Sequence, residues 1–527
     1  MKEVITILCL VIFFSTFLMS GIYNFHMFQQ NTYSGREEID WLKKHNSRER
    51  VLLLDLIFGL LAAVTDLRVF EVIFDLIMLL TLWYFNVMED KSSKKKLVWT
   101  DRMKRLFDTY LIIGTIIFFL AAWLLTFAKG VSFLIMTMAL VLSPLIIIFA
   151  NIINSPVEKA VRNYYIGDAK RILRSMPEMK IIGITGSYGK TSVKYYLETL
   201  LKSKFNVVKT PESYNTPMGV VKTIRSDLRK GTQIFLCEMG ARKVGEIKEI
   251  CDIVHPHDGI ITSIGPQHLE TFHSIENIIH TKFELGDALP EDGLLFLNGD
   301  NEYIRDNSDK YGNKTFYGSH ASAKNLGKAY YAKDIRLGEN GTEFTVATPD
   351  GQEQRYAMKL LGTHNVLNVT GAIAVANTYG IALKDLVVPV RRLRPAPHRL
   401  QMIAEGNITI IDDAYNSNPA GSKAAVETLG MFDGTRILIT PGMVELGEKE
   451  DELNKKLGIY AAANSDYVCL VGEKHTRPIL EGLLEAGFPR KNIFTGETLD
   501  EAMTYARSRE ASGRKYILLE NDLPDLY

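Results

Sequence analysis

The sequence predicts an α/β protein: transmembrane helices at the N-terminus, then two α/β domains, each built on a parallel sheet. Three observations carry this. The first 156 residues contain uncharged runs long enough to cross the ~30 Å hydrocarbon core of a bilayer. A strand-like run, a glycine-rich turn and an amphipathic helix follow one another from Lys180 to Leu201. Beyond residue 400, short β-branched runs alternate with helical stretches, the pattern of a Rossmann-like sheet. The expected organisation is a membrane region over 1–156, a charged connector over 157–179, a P-loop-type domain over 180–394 and a Rossmann-like domain over 395–527.

The 527 residues carry 61 Lys+Arg and 61 Asp+Glu, so no global field is available for gripping nucleic acid. Divided at residue 156, the totals become 15 against 13 before it and 46 against 48 after it. The four cysteines form no Cys-x-x-Cys pair, so neither a disulfide framework nor a structural zinc site is expected, in keeping with a reducing compartment. There is no internal repeat and no low-complexity tract.

In the membrane region, Val4–Tyr23 is uncharged, and no Ala-x-Ala cleavage site follows it, so it is expected to stay as an anchor rather than leave as a signal peptide. Leu111–Ala128 and Val131–Asn151 flank Lys129-Gly130 as a transmembrane hairpin. Two shorter runs, Val51–Val64 and Phe70–Phe85, bring the expected number of spans to about five. Their carboxylates, Asp55 and Asp75, would face a partner or a polar cavity if buried in lipid; the simpler reading places them near the interface. Five Lys/Arg in 24–50 and seven in 88–106, against one each in the turns at Arg68 and Lys129, put those loops and everything after Asn151 in the cytoplasm.

Lys180–Thr185 reads as a buried strand, Gly186-Ser-Tyr-Gly189 as the turn, and Lys190 onward as the helix. Backbone amides and the helix dipole of such a unit point at an anion. Lys190 can reach terminal phosphates and Thr191 can ligand Mg²⁺; the glycines stand two residues closer than in the general GxxxxGK[ST] pattern. Thr232–Gly240 and Gly259–Ile264 are further strands, with Glu238 and His268 at their C-terminal exits, where ligands collect on a parallel sheet. A hairpin is expected around Asp350-Gly351, a proline-stiffened hinge at 391–398, and strands at 408–411, 436–440, 467–471 and 516–519.

Ile-Thr-Gly-Ser-Tyr-Gly-Lys-Thr-Ser (184–192), Tyr-Asn-Thr-Pro-Met-Gly-Val (214–220), Glu-Met-Gly-Ala (238–241) and His-Leu-Glu-Thr-Phe (268–272) with Lys282, in this order, resemble the Mur ligase family. So do Leu-Gly-Thr-His-Asn-Val-Leu-Asn (361–368), His-Arg-Leu (398–400) and Asp-Asp-Ala-Tyr-Asn-Ser-Asn-Pro (412–419). The last motif, with Pro-Gly-Met-Val-Glu-Leu-Gly (441–447), is most similar to the branch that adds D-alanyl-D-alanine. The resemblance covers roughly 180–520 and implies an ATP-dependent ligase that activates a muropeptide carboxylate as an acyl phosphate and joins it to an amino acid or dipeptide.

It further implies that Gly186, Ser187, Gly189, Lys190, Thr191 and Ser192 cradle ATP, that Thr191 and Glu238 hold Mg²⁺, and that His268 serves a second metal with a carbamylated Lys282. His364, Asn365 and Asn368 would lie near the base, although Asn365 could equally cap its helix. Arg399 would approach the phosphates on domain closure, and Asp413 the ribose or the incoming dipeptide; Asn215, Thr216 and Asn416 would contact substrate. Two departures stand out. Membrane helices occupy the place of the UDP-sugar-binding domain, which leaves a UDP-linked or a lipid-linked precursor open as carboxylate donor. Leu519-Glu-Asn-Asp-Leu523 replaces Lys-Gly-Ser, which leaves the amine open. The same chemistry on another polymer, or a non-catalytic ATP-binding scaffold, are the alternatives.

Overall fold

The computed structural model describes residues 2–44, 96–212, 214–319, 326–327, 329–338, 341–414, 418–444, 446–511 and 513–521, with isolated positions at 57, 60–61, 64, 73, 76–77, 80 and 83. Asp55, Asp75 and Asn416 lie outside the described residues. The chain divides into two compact units, residues 1–164 and 165–523.

The first unit is helical: α1 (Lys2–Gln30), α2 (Gly35–Lys44), α3 (Asp101–Leu124), α4 (Lys129–Val141) and most of α5 (Ser143–Arg174). Phe13, Phe17, Phe25 and Phe28 of α1 are buried against Tyr110, Met136 and Leu140. Phe17 stacks on Tyr110 at 4.4 Å between ring centroids. On α3, Ile112, Ile116, Phe119 and Trp123 recur at helical spacing and are each 60–65% exposed, an apolar stripe suited to lipid rather than water. Leu10–Gln30, Asp101–Leu124 and Ser143–Arg174 are long and apolar enough to cross a membrane. The expected single span 131–151 is instead interrupted at Leu142. Pro144, just beyond it, has no amide hydrogen to continue the helical ladder. Past Asn151 the helix runs on through most of the expected connector, ending at Arg174.

The second unit holds two sheets. The first has nine strands in the order β2-β3-β1-β4-β5-β6-β7-β8-β9. They are β1 (Lys180–Thr185), β2 (Val207–Lys209), β3 (Ile234–Glu238), β4 (Asp258–Ile261), β5 (Leu295–Asn298), β6 (Lys314–Ser319), β7 (Ala329–Gly338), β8 (Gly341–Ala347) and β9 (Glu353–Met358). β1 to β7 pair in parallel; β7, β8 and β9 pair antiparallel. Alternate residues of the strands face opposite sides. Ile182 and Ile184 pack under α6 (Lys190–Leu201) and the later helix Thr363–Thr378, while Ile181 packs under α7 (Pro217–Ser226) and α8 (Glu246–Val254). Helix α9 (Ile275–Asp287) covers the same side, and Thr363–Thr378 is α10. β1 lies between β3 and β4, so its C-terminal loop is flanked by the ends of both. Register places Ile184 opposite Glu238.

The second sheet has six strands in the order β10-β11-β15-β12-β13-β14. β10 (Gln401–Glu405) is an antiparallel edge strand; β11 (Ile408–Asp413), β12 (Thr435–Thr440), β13 (Tyr467–Val471), β14 (Ile493–Gly496) and β15 (Lys515–Glu520) are parallel. Helices α11 (Pro419–Leu429), α12 (Glu450–Asn464) and α13 (Glu473–Glu485) pack on Ile411, Leu438, Val468 and Leu518, and α14 (Leu499–Ser508) on the opposite face. Leu361 joins this core, bringing the start of α10 to the second sheet.

Candidate active site

The turn after β1 needs its glycines. Gly186 has φ +144°, and a Cβ there would collide with Thr262 Oγ1; Gly189 has φ +83°, and a Cβ there would meet Asn368 Oδ1 at 2.9 Å. Asn368, on α10, therefore touches the turn. The turn is also laced to the segment after β4. Ser187 N donates to Ser263 O (2.7 Å), Ser187 Oγ to Gly265 O (3.1 Å), Tyr188 N to Ser263 Oγ (3.0 Å) and Tyr188 OH to Pro266 O (2.7 Å). The amides of the first turn of α6 have no acceptor within the helix, so the anion-seeking surface is this helix terminus.

Lys190 Nζ folds back over the turn, donating to Gly186 O (2.7 Å) and Ser187 O (3.0 Å). Burial lowers its pKa to about 8; the Arg399 charge adds to this and Glu238 opposes it. Thr191 Oγ1 donates to Glu238 Oε1 (3.0 Å), which also accepts from Asn215 Nδ2 (3.2 Å). Lys194 Nζ lies 2.8 Å from Glu238 Oε2. Lys282, on α9, is 2% exposed, with its Nζ 5.8 Å from the centre of the Phe272 ring. Burial, and then the Lys190 charge, bring its pKa down to about 7, against the opposite pull of Glu246 and Glu284. Lys190 feels the charge of Arg399, and Lys282 that of Lys190, so three cations lie within electrostatic reach of one another, with Glu238, Glu246 and Glu284 opposing them.

The other expected residues fall as follows. His268 begins the turn Leu269–Phe272 with φ +52°, immediately after the segment laced to the glycine turn. Ser192 is buried and hydrogen-bonds Tyr196. Thr216 caps α7, its hydroxyl accepting from Gly219 N (3.3 Å). Asn365 is buried with both ends engaged: Nδ2 donates to Leu361 O (2.8 Å) and Oδ1 accepts from Tyr196 OH (2.7 Å). It is a bracket between α6 and α10. Beside it, burial lowers His364 to about 4, so the ring is neutral. Asp413 Oδ1 accepts from Leu400 N (3.1 Å); burial raises its carboxyl to about 6, while the Arg399 charge and the Leu400 amide pull it down.

The donor set fits Mg²⁺ at one position. Thr191 Oγ1 and Glu238 Oε1 are adjacent hard oxygens beside the phosphate-seeking helix end, and Mg²⁺ takes one or two such ligands with waters and phosphate oxygens completing its octahedron. Among the described residues no group of three His, Cys, Asp or Glu could hold a metal. Sequence reasoning missed Lys194, Tyr188 and Tyr196. Lys194 could have been found, because it interrupts the otherwise apolar buried side of α6 formed by Val193, Tyr196 and Leu197.

The sequence profile described as the Mur ligase middle domain matches residues 184–376, and that of the Mur ligase glutamate ligase domain matches 398–520. The UDP-N-acetylmuramoyl-tripeptide--D-alanyl-D-alanine ligase of Bacillus subtilis is 33% identical over 283 residues, 53% of this chain and 59% of that protein. The enzyme of the same name from Escherichia coli is 30% identical over 311 residues, 58% of this chain and 68% of that protein. MurF from Acinetobacter baumannii superposes with a TM-score of 0.61 at 25% identity, covering 68% of this chain and 77% of its own. MurF ligase from Thermotoga maritima, solved in complex with ADP, superposes with a TM-score of 0.60 at 24% identity, covering 69% and 81%. The chain thus spans about three fifths of the Bacillus relative's length and two thirds of the Escherichia one's. On these matches, the chain belongs to the Mur ligase family.

Proposed function

We propose that this protein is a membrane-anchored, ATP-dependent amide ligase of peptidoglycan precursor synthesis, of the type that joins a muropeptide carboxylate to D-alanyl-D-alanine. The observation that carries the reading is the clustering at the end of β1: the glycine turn with Lys190, the Thr191–Glu238 oxygen pair and the buried, near-neutral Lys282. Residues 180–394 and 395–527 would be the two catalytic domains, and 1–156 the anchor with its basic loops and the ligase on the cytoplasmic side.

The turn and the first amides of α6 would bind the phosphate chain of ATP, with Lys190 turning from its carbonyl contacts to the terminal phosphates. Mg²⁺, held by Thr191 and Glu238, would neutralise charge on the transferring phosphoryl group. The substrate carboxylate attacks the γ-phosphorus, ADP leaves, and an acyl phosphate forms. The uncharged amine then attacks the carbonyl carbon, phosphate leaves, and a proton is lost to give the amide. Arg399 and Asp413, on the second sheet's side of the hinge, would meet the nucleotide or the amine as the domains close and exclude water. Lys282 is suited to modification: a pKa of about 7 leaves much of its amine uncharged near neutral pH, able to attack CO₂ and become a carbamate. That turns a cation that repels a second Mg²⁺ into a ligand for it. Asn365 would act on the base only indirectly, by holding α10 against α6.

One observation favours a different amine. Glu520 is buried at the C-terminal end of β15 and accepts from Thr440 Oγ1 at 2.9 Å, in the stretch where the related branch is expected to carry Lys-Gly-Ser. Without that cation, a dipeptide's carboxylate has one attraction fewer. The test is ATP-dependent product formation with UDP-muramoyl-tripeptide and with its polyprenyl-linked counterpart, each offered D-alanyl-D-alanine and a panel of other amines. Turnover with D-alanyl-D-alanine supports the proposal, turnover only with other amines supports the second reading, and no turnover on any pair overturns both.

A further inference from the structure

Lys194 stands one helical turn after Lys190, on the inward side of α6. Its side chain is 0% exposed and that of Glu238 1%, with Nζ 2.8 Å from Oε2. The same ammonium donates to the carbonyl of Glu212, a residue held at φ +38° in the loop that carries Asn215. Glu238 is therefore held at both oxygens by three side chains from two segments: Oε2 pairs with Lys194 of α6, and Oε1 accepts from Thr191 at the start of α6 and Asn215 of the loop. A buried ion pair is a poor source of stability, because desolvation offsets most of the attraction and a well-packed apolar pair would serve as well. What it supplies here is arrangement. At this buried strand end it decides which oxygen faces Thr191.

We propose that Lys194 is a positioning residue of the phosphate site. By holding Glu238 Oε2 and the Glu212 carbonyl, it turns Oε1 toward Thr191 and fixes the loop bearing Asn215 beside that pair. The proposal rests on the reading of Thr191 and Glu238 as the Mg²⁺ pair. Lys194 itself touches neither nucleotide nor metal.

The test is calorimetric titration of the full-length protein with ADP, with and without Mg²⁺, for Lys194→Met, Glu238→Gln and the double variant. Lys194→Met is expected to cut the Mg²⁺-dependent gain in ADP affinity by about tenfold or more, as loss of an outer-shell partner does elsewhere. The double variant is expected to be no worse than Glu238→Gln alone, since a residue acting through Glu238 has nothing left to position. Retention of the gain in Lys194→Met, or multiplication of the two effects in the double variant, overturns the proposal. If Glu238→Gln itself keeps the gain, the metal reading fails first; if it loses the gain while Lys194→Met keeps it, only the role of Lys194 fails. Should Lys194→Met not fold, recovery of cooperative thermal unfolding in the double variant supports the pairing, and no recovery assigns Lys194 to packing and overturns it.

Discussion

At the end of β1 the polar groups of the turn already have protein partners: Ser187 and Tyr188 are laced to Ser263, Gly265 and Pro266, and Lys190 rests on two carbonyls. At the end of β11 the arrangement is different. Asp413 is a carboxylate raised to about 6 by burial, with one backbone donor and the influence of Arg399 to keep it charged. The first sheet presents a pre-built cradle that needs only an anion, while the second presents a carboxylate that gains from a cation or donor brought to it. Such a pairing suits a nucleotide seated on one sheet and a second reactant delivered by the other.

The largest expected effect comes from emptying the cradle. Lys190→Ala should lower ATP-dependent phosphate release by at least about 10²-fold, the usual cost of one pre-placed donor at a developing charge. Undiminished release would mean the turn is not the phosphate site. Next is Lys282. Carbamylation requires the free amine, so below pH ~7 the competent fraction falls about tenfold per unit, and stripping bicarbonate should reduce turnover. A carbamate ¹³C signal from labelled bicarbonate should appear in the protein and be absent from Lys282→Met. Its persistence in the variant would place the modification elsewhere.

The second sheet gives a smaller effect of defined sign. The folded-state pKa of Asp413 lies above its ordinary value of 3.8, so its contribution to stability is fully present below that value and lost as pH rises through about 6. Asp413→Asn should therefore raise the unfolding midpoint by about 2–4 °C near pH 8, the gain vanishing toward pH 4. A gain independent of pH would argue against a buried carboxylate. Asn365→Ala removes the acceptor of Tyr196 OH and a donor to Leu361 O and should cost about 1–3 kcal/mol in denaturant unfolding. Tyr196→Phe combined with it should add less than its separate cost.

Much of this architecture is legible in the residues. The continuous apolar runs at 181–184, 234–237, 437–439 and 468–470 are central parallel strands buried on both faces, and such runs announce themselves. The hairpin around Gly351 follows from its turn, where Gly351 has φ +84°. Edge strands are harder. β10 leaves Met402 and Ile403 about 40% exposed, and β14 is four residues long, so neither carries a burial pattern strong enough to read. In the site, the glycine turn and the positions of Glu238 and Lys282 along the chain could be read. Whether a polar side chain turns outward or inward could not, because that depends on tertiary partners. Asn365 turns in toward Tyr196, and Ser192 likewise.

The central claim is that the cradle of the first sheet serves phosphoryl transfer to a carboxylate. The direct test is to supply the muropeptide with ¹⁸O in its terminal carboxylate, together with ATP and the amine, and to measure the phosphate released. Activation as an acyl phosphate predicts one ¹⁸O in each released phosphate for every amide formed; amide formation with unlabelled phosphate would contradict the account.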